Sequence, residues 1–533
     1  MTTVQHHGAP AGPRPRALLL AALAGLGQAV ALAQPGSGQS LWWLQILSLA
    51  GLAALLRRAG GTRRAFALGW LFATVWLVGS FWWLFISMHR YGGLAAPLAG
   101  AAVLALALAL GSYYAVAAAL WWRWRPGQRL GAALLFAALW LLAELARGQW
   151  WTGFPWGAGG YAHVQGPLVH LARYGGVYGI GAVAALLAML AVQLRARDLR
   201  SARAWALLLA LALAWGAAAW QRQQALAAGD AAARPALTLA LLQGNVAQDE
   251  KFQPGSGVAQ SLQWYGELLR SVRADLVVAP ETAVPLLPRQ LPEGWLDTVA
   301  QYYQDAAAPQ ALLLGMPLGD AAAGYTNSAL GLAPGLAAPY RYDKHHLVPF
   351  GEFVPPLFRW FTELMQIPLG DFRRGPLVQP AMDWRGERLA PNICYEDLFG
   401  EELAARFADA RQAPTVLVNM SNIGWFGDTL AVDQHLAIGR MRTLELERPM
   451  VRATNTGATA VIDHRGRVTA RLPAFTRGVL HASVQGRAGS ATPYAWWAGR
   501  WGLAPLWALG LAVLGGCWWR GRGRNAAGQV PRS

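Results

Sequence analysis

Eight apolar runs, each long enough to cross a lipid bilayer, constrain this 533-residue chain more than any other feature. Seven fill the first 220 residues, at about 17–35, 40–56, 65–88, 94–121, 129–147, 174–194 and 204–220. The eighth lies at about 498–519. A stretch of about 17–25 apolar residues covers a hydrocarbon core near 30 Å thick. Arg14 and Arg16 precede the first run, but no clear small-x-small cleavage site follows it, so it reads as a retained span.

Charge supports the same reading. The chain is 55% hydrophobic and only 14% charged, against about 25% charged in ordinary soluble domains. Its formal charge of +17 does not point to nucleic acid, because residues 221–496 carry 24 basic and 26 acidic side chains. The basic excess sits beside the apolar runs, where it orients a membrane protein. Arg57, Arg58, Arg63 and Arg64 follow the second run, and Arg123, Arg125 and Arg129 the fourth. Arg195, Arg197, Arg200 and Arg203 follow the sixth, and Arg520, Arg522 and Arg524 the eighth. Alternate loops carry far less. The positive-inside rule then puts both termini in the cytoplasm and residues 221–496 on the other face. Three regions are expected: a seven-helix membrane part at 1–220, a layered α/β domain at 221–496, and a last span with a basic cytoplasmic tail at 497–533.

Residues 221–496 alternate short β-rich runs (236–242, 275–279, 311–314, 387–393, 414–419) with amphipathic stretches near 258–273, 294–305, 398–409 and 431–446. In such a domain, functional groups gather where strands end. Glu281 follows the apolar run Asp275–Ala279 and Pro280, and Cys394 ends the run from Arg388. Lys344 stands among polar neighbours just before a Pro/Gly turn. Taken singly, each has an ordinary explanation: a small buried thiol, a capping carboxylate, a surface ammonium. Glu352, Glu396 and Asp397 read singly as solvated loop acids. His345 and His346 are adjacent, so their side chains diverge, and no metal site is expected. The chain has only two cysteines, Cys394 and Cys517, and only two lysines, Lys251 and Lys344. Together, thiol, carboxylate and ammonium make a complete acyl-transfer set: nucleophile, base and oxyanion partner. Spacing alone does not bring them together.

The segments around these residues carry a resemblance. Ala279-Pro280-Glu281-Thr282, the run Asp343–Glu352 and Asn392-Ile393-Cys394-Tyr395-Glu396 resemble the three signature segments of the nitrilase superfamily, in the same order. Gln243–Val246, Tyr325–Ser328, Ser421–Gly427, Arg448–Gly457 and Gly153-Phe154-Pro155-Trp156 extend the likeness over nearly the whole chain, which resembles the membrane-embedded apolipoprotein N-acyltransferase branch. The resemblance implies an αββα nitrilase-like sandwich between spans seven and eight, on the periplasmic side of a bacterial inner membrane. It implies Cys394 as nucleophile, Glu281 as general base and Lys344 as oxyanion partner, supported by Glu352, Tyr395 and Glu396. Phe252, Asn327 and Trp425 fall at substrate-contacting positions. Two departures stand out. Phe252 aligns with a loop tryptophan of the family and lacks its indole N–H, and Ile423 stands where an Asp is expected.

The activity so implied moves an acyl chain from a phospholipid, phosphatidylethanolamine in particular, through a Cys394 thioester to the α-amino group of an S-diacylglyceryl-cysteine lipoprotein. It needs no cofactor and no more than a monomer. A membrane-tethered amidase is the alternative, though one span would anchor it. A transporter is disfavoured because the spans are almost bare of ionisable groups apart from Glu144 and Arg147. The apolar loop 354–372 and the 250s are expected to touch the bilayer and gate entry.

Overall fold

The computed structural model describes residues 15–195, 197–231, 234–305, 307–354 and 372–527. The loop 354–372 therefore falls outside the described residues, apart from its two ends.

Helices occupy the eight apolar runs, with informative differences. By length and composition, five of the described helices can cross a membrane, and a bent pair makes up to six. That is fewer than the eight spans expected. The second run forms only the 16-residue helix Trp42–Arg57. The third ends at Phe81, short of the expected residue 88, and turns through a short helix into a π-helical stretch, Ser87–Tyr91. The last run is not straight: Pro493–Trp501 meets Ala504–Arg520 at 91°. Gly502, at φ +54°, makes that corner, a conformation glycine adopts without the Cβ clash.

The catalytic-sized region holds two six-stranded sheets. The first uses β1 (Leu237–Gln243), β2 (Leu276–Val278), β3 (Ala311–Asp320), β4 (Gly324–Leu332), β5 (Tyr340–Asp343) and, at the opposite edge, β12 (Gly478–Val484). The second uses β6 (Met382–Trp384), β7 (Glu387–Ile393), β8 (Val416–Ser421), β9 (Met450–Thr454), β10 (Ala460–Ile462) and β11 (Val468–Arg471). Their orders are β12-β1-β2-β3-β4-β5 and β11-β10-β9-β8-β7-β6. In the first sheet β1, β2 and β3 run parallel, in the second β7, β8 and β9 do, and every other pair is antiparallel.

Strand side chains alternate between faces, and the burial follows that period. Leu239, Leu241, Leu276, Val278 and Leu313 of one sheet meet Leu389, Ile393, Val418, Met420 and Val451 of the other. The neighbours Ala240, Leu242 and Val277 face outward under Tyr265, Leu269, Val299 and Tyr303 of helices Ala259–Ser271 and Trp295–Gln304. The outer face of the second sheet lies under helices Gly400–Ala404, Ala431–Leu446 and Pro493–Trp501. Helix, sheet, sheet and helix stack as the sequence anticipates.

One buried cluster joins this domain to the membrane part. Tyr395, Leu398, Phe399, Ile438, Met441 and Leu444 share an apolar core with Phe72, Trp76, Trp83, Trp140 and Trp156. Gln434 Oε1 accepts hydrogen bonds from two indoles, Trp83 (3.1 Å) and Trp156 (2.8 Å). These tryptophans are buried, so they are junction residues and not an interfacial belt; their sequence neighbours Trp82, Trp150 and Trp151 are exposed.

Candidate active site

Cys394 follows β7, whose run of buried residues carries the chain to the rim of the sheet. The turn is left-handed at Cys394 (φ +52°), a conformation non-glycine residues adopt at a cost. Glu396 fixes it. Its carboxylate accepts from the backbone N–H of Ile393 (2.6 Å), His345 (2.6 Å) and His346 (3.2 Å) and from Tyr342 Oη (2.8 Å). One side chain thus ties the Cys394 turn to the loop that carries Lys344.

Lys344 follows β5, and its backbone N–H donates to Asn327 O on β4 (2.8 Å). Its ammonium donates to Glu281 Oε1 (3.1 Å) and to the Glu352 carboxylate (2.9 Å). Asn327 Nδ2 donates to the same two carboxylates, at 2.8 and 2.7 Å. Glu281 Oε2 accepts from the Asn422 N–H (2.8 Å), and Glu352 Oε2 from the Val348 N–H (2.8 Å). All of this is buried: Lys344 is 0% exposed, Glu352 5% and Glu281 7%. Glu352, Glu396 and Asp397 are therefore not the solvated loop acids that isolated reading suggests.

Two carboxylates sharing one ammonium do not titrate alike. Burial pushes both up. At Glu281 the charge of Lys344 and the hydrogen bonds from Asn327 and Lys344 outweigh it, and the carboxyl sits below its usual value. At Glu352 burial prevails over Lys344, with the charge of Glu281 adding to it, and the carboxyl is raised. Burial would lower Lys344, but Glu281 and Glu352 hold it above the ordinary lysine value. Burial and then the charge of Glu281 raise the Cys394 thiol, against the pull of Lys344, the Ser421 side chain and the Asn422 N–H. The resting set is therefore thiol, carboxylate and ammonium.

Three further groups escaped the sequence reading. Lys251 is 1% exposed, and its Nζ donates to Glu281 O (3.2 Å). Burial pulls it down to about 7, against Glu281 and Cys394. The scarcity of lysine was the one signal that could have flagged it. Behind Cys394, Asp397 accepts from Arg452 Nη1 (2.7 Å) and from His435 Nε2 (3.0 Å), while Arg452 Nη2 donates to His435 Nδ1 (2.8 Å). His435 stacks on Trp156, with the rings 10° from parallel. Third, Arg147 donates to the carbonyls of Phe154 (2.6 Å) and Trp156 (2.7 Å) and to Tyr114 Oη (2.9 Å), and Glu144 accepts from the Gly159 N–H (2.8 Å). The shaped loop meets the site, where Gly153 O accepts from Tyr395 Oη (3.0 Å) and Thr152 O bonds His346 Nε2 (3.0 Å).

Phe252 and Trp425 stack (6.5 Å), and Trp425 meets Tyr91 from the π-helical stretch edge-on (5.9 Å). They form a half-buried aromatic row between the two parts of the molecule. Ile423 is 1% exposed within the apolar layer under helix Ala431–Leu446, so it has no polar role. Cys517 is half-buried on the last helix and packs on the membrane core.

Comparison with known proteins agrees with this architecture. The family profile of the apolipoprotein N-acyltransferase N-terminal domain matches residues 24–190, and the carbon-nitrogen hydrolase profile matches residues 238–493. An apolipoprotein N-acyltransferase of Verminephrobacter eiseniae is 64% identical, over 91% of this chain and 92% of its own. The chain belongs to the apolipoprotein N-acyltransferase family. Family members of Ralstonia nicotianae and Chromobacterium violaceum are 48% and 40% identical, over 93% and 95% of this chain and 92% and 95% of theirs. As a member of that family it is an acyltransferase of the nitrilase superfamily, and its apolar helices fit a bacterial membrane protein.

Proposed function

We propose that this chain transfers an acyl chain from a membrane phospholipid, phosphatidylethanolamine in particular, to the α-amino group of an S-diacylglyceryl-cysteine lipoprotein, as a monomer in the inner membrane. The α/β domain faces the periplasm and both termini the cytoplasm. The observation that carries this reading is the junction: the turn bearing Cys394 is built into the same apolar core as the membrane helices. Pulling an acyl chain out of a bilayer costs about 0.8 kcal/mol per CH₂, so a thiol at the bilayer surface meets its donor without that cost.

In the first half-reaction Glu281 takes the Cys394 proton as Sγ attacks the ester carbonyl. The ammonium of Lys344 faces the oxyanion, the C–O bond breaks, and Glu281 returns the proton to the departing lysophospholipid hydroxyl. In the second, the lipoprotein amine attacks the thioester, Glu281 relays its proton to the leaving sulfur, and Cys394 is restored. Glu352 and Asn327 position Lys344 and Glu281, Glu396 positions the nucleophile turn, and Phe252, Trp425 and Tyr395 flank the acyl path.

The test is transfer in vesicles of phosphatidylethanolamine carrying a synthetic S-diacylglyceryl-cysteine peptide. The expected product is the peptide heavier by one acyl group on its α-nitrogen, absent with Cys394→Ala. Free fatty acid released without peptide acylation would contradict the reading and favour a hydrolase.

A further inference from the structure

Away from Cys394, a cavity of about 390 Å³ opens between the membrane part and the α/β domain. One wall is the loop Val164–Val169 with Arg222 and Leu226 of helix Ala202–Ala231. The other is Arg440 of helix Ala431–Leu446 with Arg465–Arg467 of the turn between β10 and β11. It shares no lining residue with the Glu281–Lys344–Cys394 set.

Four arginines line this space, and among the described lining residues there is no carboxylate. Two described acids, Asp463 and Glu447, lie near enough for their charge to reach Arg222, and each also has closer partners. Asp463 Oδ1 accepts the backbone N–H of Arg465 (2.9 Å) and Arg467 (2.8 Å). Glu447 pairs with Arg173 (3.0 Å) and Arg487 (3.1 Å). Arg440 Nε donates to Gly466 O (2.7 Å). Arg222 is the deciding residue. It is only 8% exposed, its Nη1 meets His170 Nδ1 at 3.4 Å, and its Nη2 is buried with no partner. Leaving such a donor unsatisfied costs free energy that an anion in the cavity would recover.

We propose that this cavity binds a phosphate group, gripped by Arg222, Arg440 and Arg467. Guanidinium forks match the tetrahedral oxygens of phosphate in bidentate fashion. The apolar side chains of Val164, Val169 and Leu226 suit the glycerol end of a lipid, and the polar rim suits free phosphate equally. Because the ligand would touch both parts of the molecule, its binding stabilises their junction.

The experiment uses the full chain, delipidated in phosphate-free detergent, with thermal unfolding and native mass spectrometry as readouts. The probes are inorganic phosphate, dioctanoyl phosphatidylglycerol, and dioctanoylglycerol as the phosphate-free control. A saturable rise in unfolding temperature with the phospholipid alone identifies a lipid headgroup as the source. A rise with inorganic phosphate as well shows that the phosphate group suffices. Arg222→Gln and Arg467→Gln should each weaken binding by about tenfold or more, the loss expected for one charge-assisted hydrogen bond. Arg467 is exposed, so its variant keeps the test valid if Arg222→Gln fails to fold. The proposal is overturned if neither phosphate probe binds saturably, if dioctanoylglycerol acts equally, or if Arg467→Gln binds as the wild type does.

Discussion

Lys344 and Lys251 are the chain's two lysines, and both lie at Glu281, yet they act oppositely. Lys344 is the only cation bonded to Glu281 and Glu352 among their described ion pairs. Replacing it by Met leaves two buried carboxylates facing each other, and breaking a buried pair this way costs about 3–5 kcal/mol. Lys344→Met should therefore lower the unfolding temperature sharply as well as abolish transfer; unchanged stability would show the pair to be dispensable. Lys251 sits where its charge is unwelcome. Its folded value, about 7, lies below the unfolded value of about 10.5. Between those values the unfolded chain binds more protons, so this lysine's penalty is full below about pH 7 and fades as pH rises toward 10.5. Lys251→Met should flatten that rise in a series of unfolding temperatures against pH. Glu281, Lys344 and Cys394, which the structure brings together, could be picked out in sequence because each lies in a signature segment with its neighbours. The Asp397–His435–Arg452 set was not, since its members lie 38 and 55 positions from Asp397 in sequence and no local pattern connects them.

At the scale of elements, the loop 150–156 links membrane and site. Arg147 shapes it from the membrane side, and Tyr395 Oη and His346 hold it from the catalytic side. Tyr395→Phe leaves Gly153 O without that donor, at a cost of about 1–3 kcal/mol if the group stays dry. Arg147→Met strips two carbonyls of their donor and should reduce transfer further than Tyr395→Phe does, as initial rates would report. Strands with long apolar runs, β1, β3, β7 and β8, could be read from the sequence. β4 and β5 could not, because Thr326, Ser328 and Asp343 spend their polar groups on one another and Asn327 spends its amide on Glu281 and Glu352. The break at Gly502 was equally hidden: an apolar run has the same composition whether straight or bent by 91°.

At the scale of the whole molecule, a charge-balanced α/β sandwich joins a basic, apolar helical part through one shared core. The orientation read from arginine placement has its own test. A cysteine at exposed Ala337 should react with a membrane-impermeant thiol reagent added to spheroplasts, and one at exposed Arg58 should not; the reverse pattern would invert the topology. The central claim is narrower and more direct: Cys394 carries the acyl group between donor and acceptor. Intact-mass analysis of the purified protein after incubation with phosphatidylethanolamine, without acceptor, tests it. One hydroxylamine-labile acyl adduct on the Cys394 peptide is expected, missing in Cys394→Ala and in Glu281→Gln. An adduct that persists in Cys394→Ala, or maps to Cys517, would contradict it.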